Sequence, residues 1–270
     1  MHLVCAAALA CASVPETPPH PAYCKLLLVR HGETNFNAEG RLQGRLESEL
    51  TEKGNEQATL MGEWLSRADG VNSVTKTFVS PRLRTRQTLS NIEAACKGRI
   101  SLPPAIVRPG LREIELTVWE GQHRADLRTA SGQVDSERWA QWQTHPDGFR
   151  FEEDGHAPLD DLKRRARSEW DALVDSTLPA TTSLVVAHGA FNKVFMLLAF
   201  GLPVDDSSFR DDHFAFDNCA TIELRWRVGD RLASAWRKRY PAESRWFSRE
   251  EEVERHAASA SAISSECPAS

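Results

Sequence analysis

Apolar and polar positions alternate along the chain in a way that predicts strands and helices in turn. Four consecutive apolar residues, Leu26 to Val29, run straight into Arg30-His31-Gly32. A run this short, bounded by turn signals, suits a strand buried on both faces. A second such run, Ser183 to Ala187, ends the same way at His188-Gly189. Between the two, Leu60, Met61, Trp64 and Leu65 fall at helical spacing and give one apolar face, with Thr51 as N-cap. Thr75 to Val79 alternates like a strand, and Ser80-Pro81 ends it where a helix can begin. Trp139 and Trp142 share a short amphipathic helix, and Leu162, Ala166, Trp170 and Leu173 form the apolar stripe of a helix over Leu159–Val174. A strongly apolar helix follows His188-Gly189 through Phe200 and stops at Gly201 and Pro203. Thr221 to Arg227, a Val228-Gly229-Asp230 turn and Leu232 to Lys238 read as a terminal hairpin. Strands alternating with helices predict an α/β fold, a three-layer sandwich whose largely parallel sheet carries helices on both faces.

The chain has 270 residues, 41% of them hydrophobic. That is enough to bury a large core in one domain, placed here at 25–241. Residues 1–24 combine an apolar stretch, Leu3 to Ala12, with a Pro-rich PETPPHP and carry no Lys or Arg. They read as a disordered leader or a targeting remnant, matching neither a secretory signal nor an Arg- and Ser-rich transit peptide. The expected location is the cytoplasm or a plastid. Residues 242–270 begin charged and finish in Ala and Ser, a composition that cannot bury enough surface to fold alone. They are expected as a disordered or partly helical tail. Six cysteines, at 5, 11, 24, 96, 219 and 267, have no metal-ligand spacing and no disulfide framework. A net charge of −5 gives no general basic field for nucleic acid, and no stretch reads as a membrane span.

The ends of the two His-Gly strands are where chemistry is expected, since ligands of open α/β sheets bind outside the carboxyl ends of the strands. The Arg30 guanidinium can hold two phosphate oxygens at once, and a neutral His31 nitrogen can attack phosphorus. A surface ion pair beside a satisfied histidine is the plainer alternative. At His188 a helix begins at Gly189, so backbone N–H groups and the helix dipole favour an anion there. Of the basic run Arg82, Arg84 and Arg86, the first and last share a helical face and Arg84 points elsewhere. Glu113, Glu115 and Glu120 are equal candidates for a leaving-group acid on residue type alone.

The string RHGETNFN, followed by Gln43-Gly44, resembles the signature of the histidine phosphatase superfamily, the phosphoglycerate mutase-like proteins. Further similar strings are Leu50-Thr51 with Gly54, Gln57 and Ala58, and Ser80-Pro81 with Arg84, Gln87 and Thr88. Leu111 with Glu113, then Trp119-Glu120-Gly121, and finally His188-Gly189 complete the match over about residues 25 to 240. Where relatives carry Gly in the Glu115–Trp119 bend, this chain has Leu116, Thr117 and Val118. The resemblance implies that His31 becomes phosphorylated, that Arg30, Asn37 and Arg84 line a phosphate pocket, and that Gln43 and Gly44 lie close to the substrate. It implies Glu113 as the acid and His188 as a histidine contacting the phosphoryl group, read here as a cationic stabiliser. It also puts Gly189 and Asn218 near that second histidine. NFNAEGRLQG, WAQWQTHPDGF with DGHAP, and VVAHGAFNK look most like plant and algal 2-carboxy-D-arabinitol-1-phosphatase-like proteins.

Three function classes follow: a metal-independent phosphomonoesterase working through phosphohistidine, a phosphomutase that returns the phosphoryl group to bound product, and a non-catalytic phosphate-binding module. The expected partner is a small phosphorylated metabolite, a sugar phosphate or sugar-acid phosphate, with no cofactor and no metal. Gln122 to Asp160, the least regular region, is expected to shape specificity or act as a lid.

Overall fold

The computed structural model describes residues 23–67, 74–128, 136–242 and 244–265. The expected leader therefore lies almost wholly outside the described residues, as do Cys5, Cys11 and Cys267. The strands are β1 (Tyr23–Arg30), β2 (Val74–Val79), β3 (Ala105–Val107), β4 (Thr182–Ala187), β5 (Thr221–Arg227), β6 (Ala235–Tyr240) and β7 (Phe247–Ser248). The helices are α1 (Asn35–Glu39), α2 (Glu52–Arg67), α3 (Leu83–Cys96), α4 (Ser136–Thr144), α5 (Pro158–Ser176), α6 (Gly189–Ala199), α7 (Asp206–Arg210) and α8 (Arg249–Ser265).

All seven strands join one sheet in the order β3-β2-β4-β1-β5-β6-β7. It is a mixed sheet. β3, β2, β4 and β1 pair in parallel, whereas β5, β6 and β7 are added antiparallel beyond β1. The hairpin read from the sequence supplies the antiparallel half and is not terminal, because β7 pairs with β6.

The central strand explains its own apolar run. Leu26 and Leu28 face one core with Trp170, Phe191 and Phe195 of α5 and α6. Leu27 and Val29 face a second core with Met61 and Leu65 of α2 and Leu89 and Ile92 of α3. With both faces covered, alternation disappears and the strand is apolar throughout. The three-layer arrangement follows. On α2 the expected apolar face is narrower than the spacing suggested, since Leu60 is exposed while Met61 and Leu65 are buried. Thr51 caps this helix, its hydroxyl accepting from the Gly54 N–H at 3.0 Å.

The C-terminal segment carries α8, which lies against the domain. Glu252 of α8 is buried and accepts hydrogen bonds from Trp236 Nε1 at 3.0 Å and Arg255 Nε at 3.0 Å, and its carboxylate faces His213 Nε2 at 3.0 Å. Arg249 Nε donates to the Phe200 carbonyl at 2.9 Å. The segment docks through polar anchors onto a surface the domain already provides.

Candidate active site

Register places the site. Arg30 pairs with Ala187 across β1 and β4, so the residues that follow each strand, His31 and His188, stand side by side with ring centroids 5.3 Å apart. Val79 pairs with Val186, which sets Ser80 next to His188. Thr221 pairs with Val29, and the turn before β5 therefore returns Asn218 and Cys219 to the same end of the sheet. Gly32 serves close approach: a Cβ there would lie 2.5 Å from the Gly54 carbonyl oxygen, so only glycine lets the start of α2 pack against this loop.

His31 is buried, and its Nδ1 lies 2.8 Å from the Gly32 carbonyl. A carbonyl only accepts, so Nδ1 carries the proton and Nε2 presents a lone pair. Burial, with Arg84 and Arg30 nearby, pushes the imidazole well below the usual histidine range. The ring is neutral at physiological pH, as a nucleophile must be. Arg30 donates from Nη1 to the Phe216 carbonyl at 2.5 Å, while its buried Nε has no partner. Burial lowers its pKa. Arg84 is buried too, its pKa brought down by burial to about 10, which leaves it charged at neutral pH.

Arg84 is held from three sides: Nη2 donates to Gly44 O at 2.9 Å, Nη1 to Leu46 O at 3.1 Å and Nε to His188 Nδ1 at 3.2 Å. Because His188 Nδ1 accepts, its Nε2 bears the proton and donates to Ser80 Oγ at 2.7 Å. Burial first, and Arg84 second, push His188 well below the usual range. Burial thus works against the cationic role expected for it. His188 is neutral here, with both nitrogens engaged, and it positions Arg84.

The three acids separate cleanly. Glu113 accepts from the N–H groups of Ile114 (2.9 Å), Phe191 (3.1 Å) and Ala190 (3.3 Å), so its carboxylate occupies the N-terminus of α6 where an anion was expected. Arg165 of α5 fixes this loop by donating to the carbonyls of Gly110, Arg112 and Glu113. Glu115 pairs with Arg112 at 3.2 Å. Glu120 pairs with Arg45 at 3.0 Å and accepts from the Leu116 N–H. Only Glu113 of the three lines the cavity between the strand ends. In the bend that lacks the family's glycine, Thr117 takes φ +36°, a strained value for a β-branched residue. Trp119 anchors that bend in an aromatic cluster with Trp139, Phe149 and Phe151, so the described part of the 122–160 region is packed structure over the site loop.

The cavity measures about 330 Å³. Arg30, His31, Asn37, Gln43, Gly44, Arg84, Glu113 and Gly189 all line it, as expected. Asn37 Oδ1 is engaged by Thr34, which leaves its amide N–H groups for a ligand, and Gln43 Oε1 is buried without a partner. Asn218 does not line the cavity: its Nδ2 donates to the His31 carbonyl at 3.0 Å and to Asn37 Oδ1 at 3.3 Å, so it holds both in place. Sequence reasoning missed Arg41, Arg124 and Lys193 on the wall. Arg41 and Lys193 sit inside strings already singled out, GRLQG and VVAHGAFNK. Arg124 has no motif and arrives through the bridge between Arg41 and His123. Among the described residues no group of three or more His, Cys, Asp or Glu is placed to hold a metal ion, and no helix is long and apolar enough to cross a membrane.

Comparison with known proteins agrees with this geometry. The chain is 32% identical over 191 residues to 2-carboxy-D-arabinitol-1-phosphatase of Triticum aestivum, covering 70% of this chain and 35% of that protein. It thus spans about a third of the length of the plant relatives it matches. It is 31% identical over 217 residues to a protein named probable phosphoglycerate mutase GpmB of Erwinia tasmaniensis, covering 78% of this chain and 89% of that one. Among solved structures, Bacillus stearothermophilus YhfR superposes with a TM-score of 0.63 at 26% identity, over 78% of this chain and 94% of that one. A mycobacterial glucosyl-3-phosphoglycerate phosphatase complexed with VO3 gives 0.58 at 25%, over 74% and 92%. The sequence pattern of one family matches residues 26–255, and on that match the chain belongs to the histidine phosphatase superfamily, branch 1.

Proposed function

We propose that this protein is a metal-independent phosphomonoesterase that acts on a small phosphorylated metabolite through a phosphohistidine at His31. The observation that carries the reading is the neutral His31, whose Nδ1–H is tied to Gly32 so that Nε2 is the free nucleophile, on the wall of a cavity it shares with Arg30, Arg84 and Glu113. His31 Nε2 attacks phosphorus, the P–O ester bond breaks, and Glu113 gives its proton to the leaving oxygen. Charge spread over the three phosphoryl oxygens is met by the guanidinium groups. Glu113 then takes a proton from the water that attacks phospho-His31, the P–N bond breaks and phosphate leaves. The relatives named as phosphatases of sugar-acid and glycosylated glycerate phosphates support a sugar phosphate or sugar-acid phosphate as substrate.

A mutase would return the phosphoryl group to bound product, and relatives named as phosphoglycerate mutases keep that second reading in view. One experiment tests both. Brief mixing with a phosphate ester should leave an acid-labile phosphoryl adduct on His31, absent in His31→Ala, with free phosphate accumulating on longer incubation. Label on His188, serine or aspartate, or labelling that survives His31→Ala, overturns the reading; isomerised ester without free phosphate turns it to the mutase.

A further inference from the structure

Lys193 has no counterpart in the mechanism above. It lies on α6 one turn beyond Gly189, is only 9% exposed, and lines the same cavity as His31. Four residues of helix advance about 6 Å along the axis, so its side chain emerges a short step past the phosphoryl site. No hydrogen bond or ion pair reaches its Nζ among the described residues. Its Nζ lies over the Phe209 ring, 5.8 Å from the centroid. Asp211 and Asp212 lie close enough to favour the charged form, yet burial outweighs them and lowers the pKa. A lysine this enclosed, whose ammonium opens on the cavity and makes no hydrogen bond, is only partly compensated by those two carboxylates. Its cost is met when an anion enters the cavity.

The wall tells what kind of anion. Arg30 and Arg84 offer guanidinium forks, which match the oxygens of a phosphoryl group. Lys193 offers one compact charge on a wall that also carries Phe209, Phe216 and Ile114. A doubly charged phosphate would need several donors here, whereas a singly charged carboxylate is balanced by one ammonium. A cavity of about 330 Å³ also has room for more than a phosphoryl group. We propose that Lys193 is a specificity-determining residue that receives a carboxylate carried by the substrate, one helical turn beyond its phosphoryl group. The proposal rests on the phosphatase reading for the site of the phosphoryl group, and between the two substrate types of that reading it selects the acid and assigns the residue that selects it.

The test compares 3-phosphoglycerate with glycerol 3-phosphate, which share a carbon chain and differ by a carboxylate in place of a hydroxymethyl group. Equilibrium binding is measured by calorimetry in His31→Ala protein, so that nothing is consumed. The acid should bind about tenfold or more tightly than the alcohol, the size of one charge-assisted hydrogen bond. Lys193→Met should bring the two within about twofold by weakening the acid alone, and Lys193→Arg should keep the preference. If Lys193→Met fails to fold, Lys193→Gln takes its place in the comparison. Equal binding in the parent, or a preference that survives loss of the ammonium, overturns the proposal. Turnover of nitrophenyl phosphate by the unmutated protein reports separately on the phosphatase reading: no turnover with a Lys193-dependent preference removes only that reading, and turnover without the preference removes only the role of Lys193.

Discussion

In the proposed reaction Glu113 gives a proton and then takes one, and its surroundings fix where that carboxyl points. Three backbone N–H groups and the Arg165 clamp on its loop hold it at the start of α6, on the cavity wall shared with His31. Replacement by Gln keeps the shape and removes the transferable proton. Glu113→Gln should slow hydrolysis of alkyl phosphates by about 10²- to 10⁴-fold, the usual reach of positioned acid–base catalysis. Aryl esters need no proton on departure, so with nitrophenyl phosphate a rapid burst should persist while steady turnover falls, because phospho-His31 lacks its base. Stopped-flow absorbance measures both phases. Equal, mild loss for both ester types would mean that Glu113 only shapes its loop. His188 sets a contrast at the same scale: an imidazole with both nitrogens engaged is a brace for Arg84, and its sequence context could not distinguish brace from cation.

Elements differ in how far the sequence announced them, and the reason is physical. β1 and β4 were legible because both faces are buried, so an unbroken apolar run ends abruptly at a charged or titratable residue. Their parallel register then brings His31 and His188 together without further assumption. Residue type alone could not separate Glu113 from Glu115 and Glu120; the resemblance pointed to Glu113, and the fold puts only that one of the three on the cavity wall. Arg41, Arg124 and Lys193 come from three separate segments and meet only in the folded chain, where no local period records them. The docking of α8 was not legible for another cause: hydrophobic patterning sees apolar anchors, and this helix docks with Glu252, Arg249 and Arg255. Glu252 serves Trp236 and faces His213, and Arg255 also pairs with Asp211, so α8 braces the segment that ends in Phe216, whose carbonyl accepts from Arg30. Glu252→Ala should lower unfolding free energy by about 1–3 kcal/mol, the usual penalty for stranded buried donors, and should also reduce turnover. Urea titration with a parallel assay checks this; unchanged stability would show that α8 rests on the domain without bracing it.

At the scale of the whole molecule, charge is unevenly spread. The chain carries a net charge of −5, yet Arg30, Arg41, Arg84, Arg124 and Lys193 share one cavity wall with a single carboxylate, Glu113. A concave site of one sign focuses its field and raises the local concentration of an anionic ester. The same charges stand ready when negative charge spreads over the phosphoryl oxygens, with no reorganisation needed at that moment. Divalent metals in other phosphoryl-transfer sites supply this neutralisation; in the reaction proposed here it falls to fixed guanidinium groups, of which Arg84 is tied by three hydrogen bonds. Excess EDTA should therefore leave phosphate release unchanged. Arg84→Met should lower kcat by about 10²- to 10³-fold, comparable with loss of one preorganised donor, and added Mg²⁺ should not restore it. Loss of activity in EDTA that Mg²⁺ or Zn²⁺ restores would overturn this account.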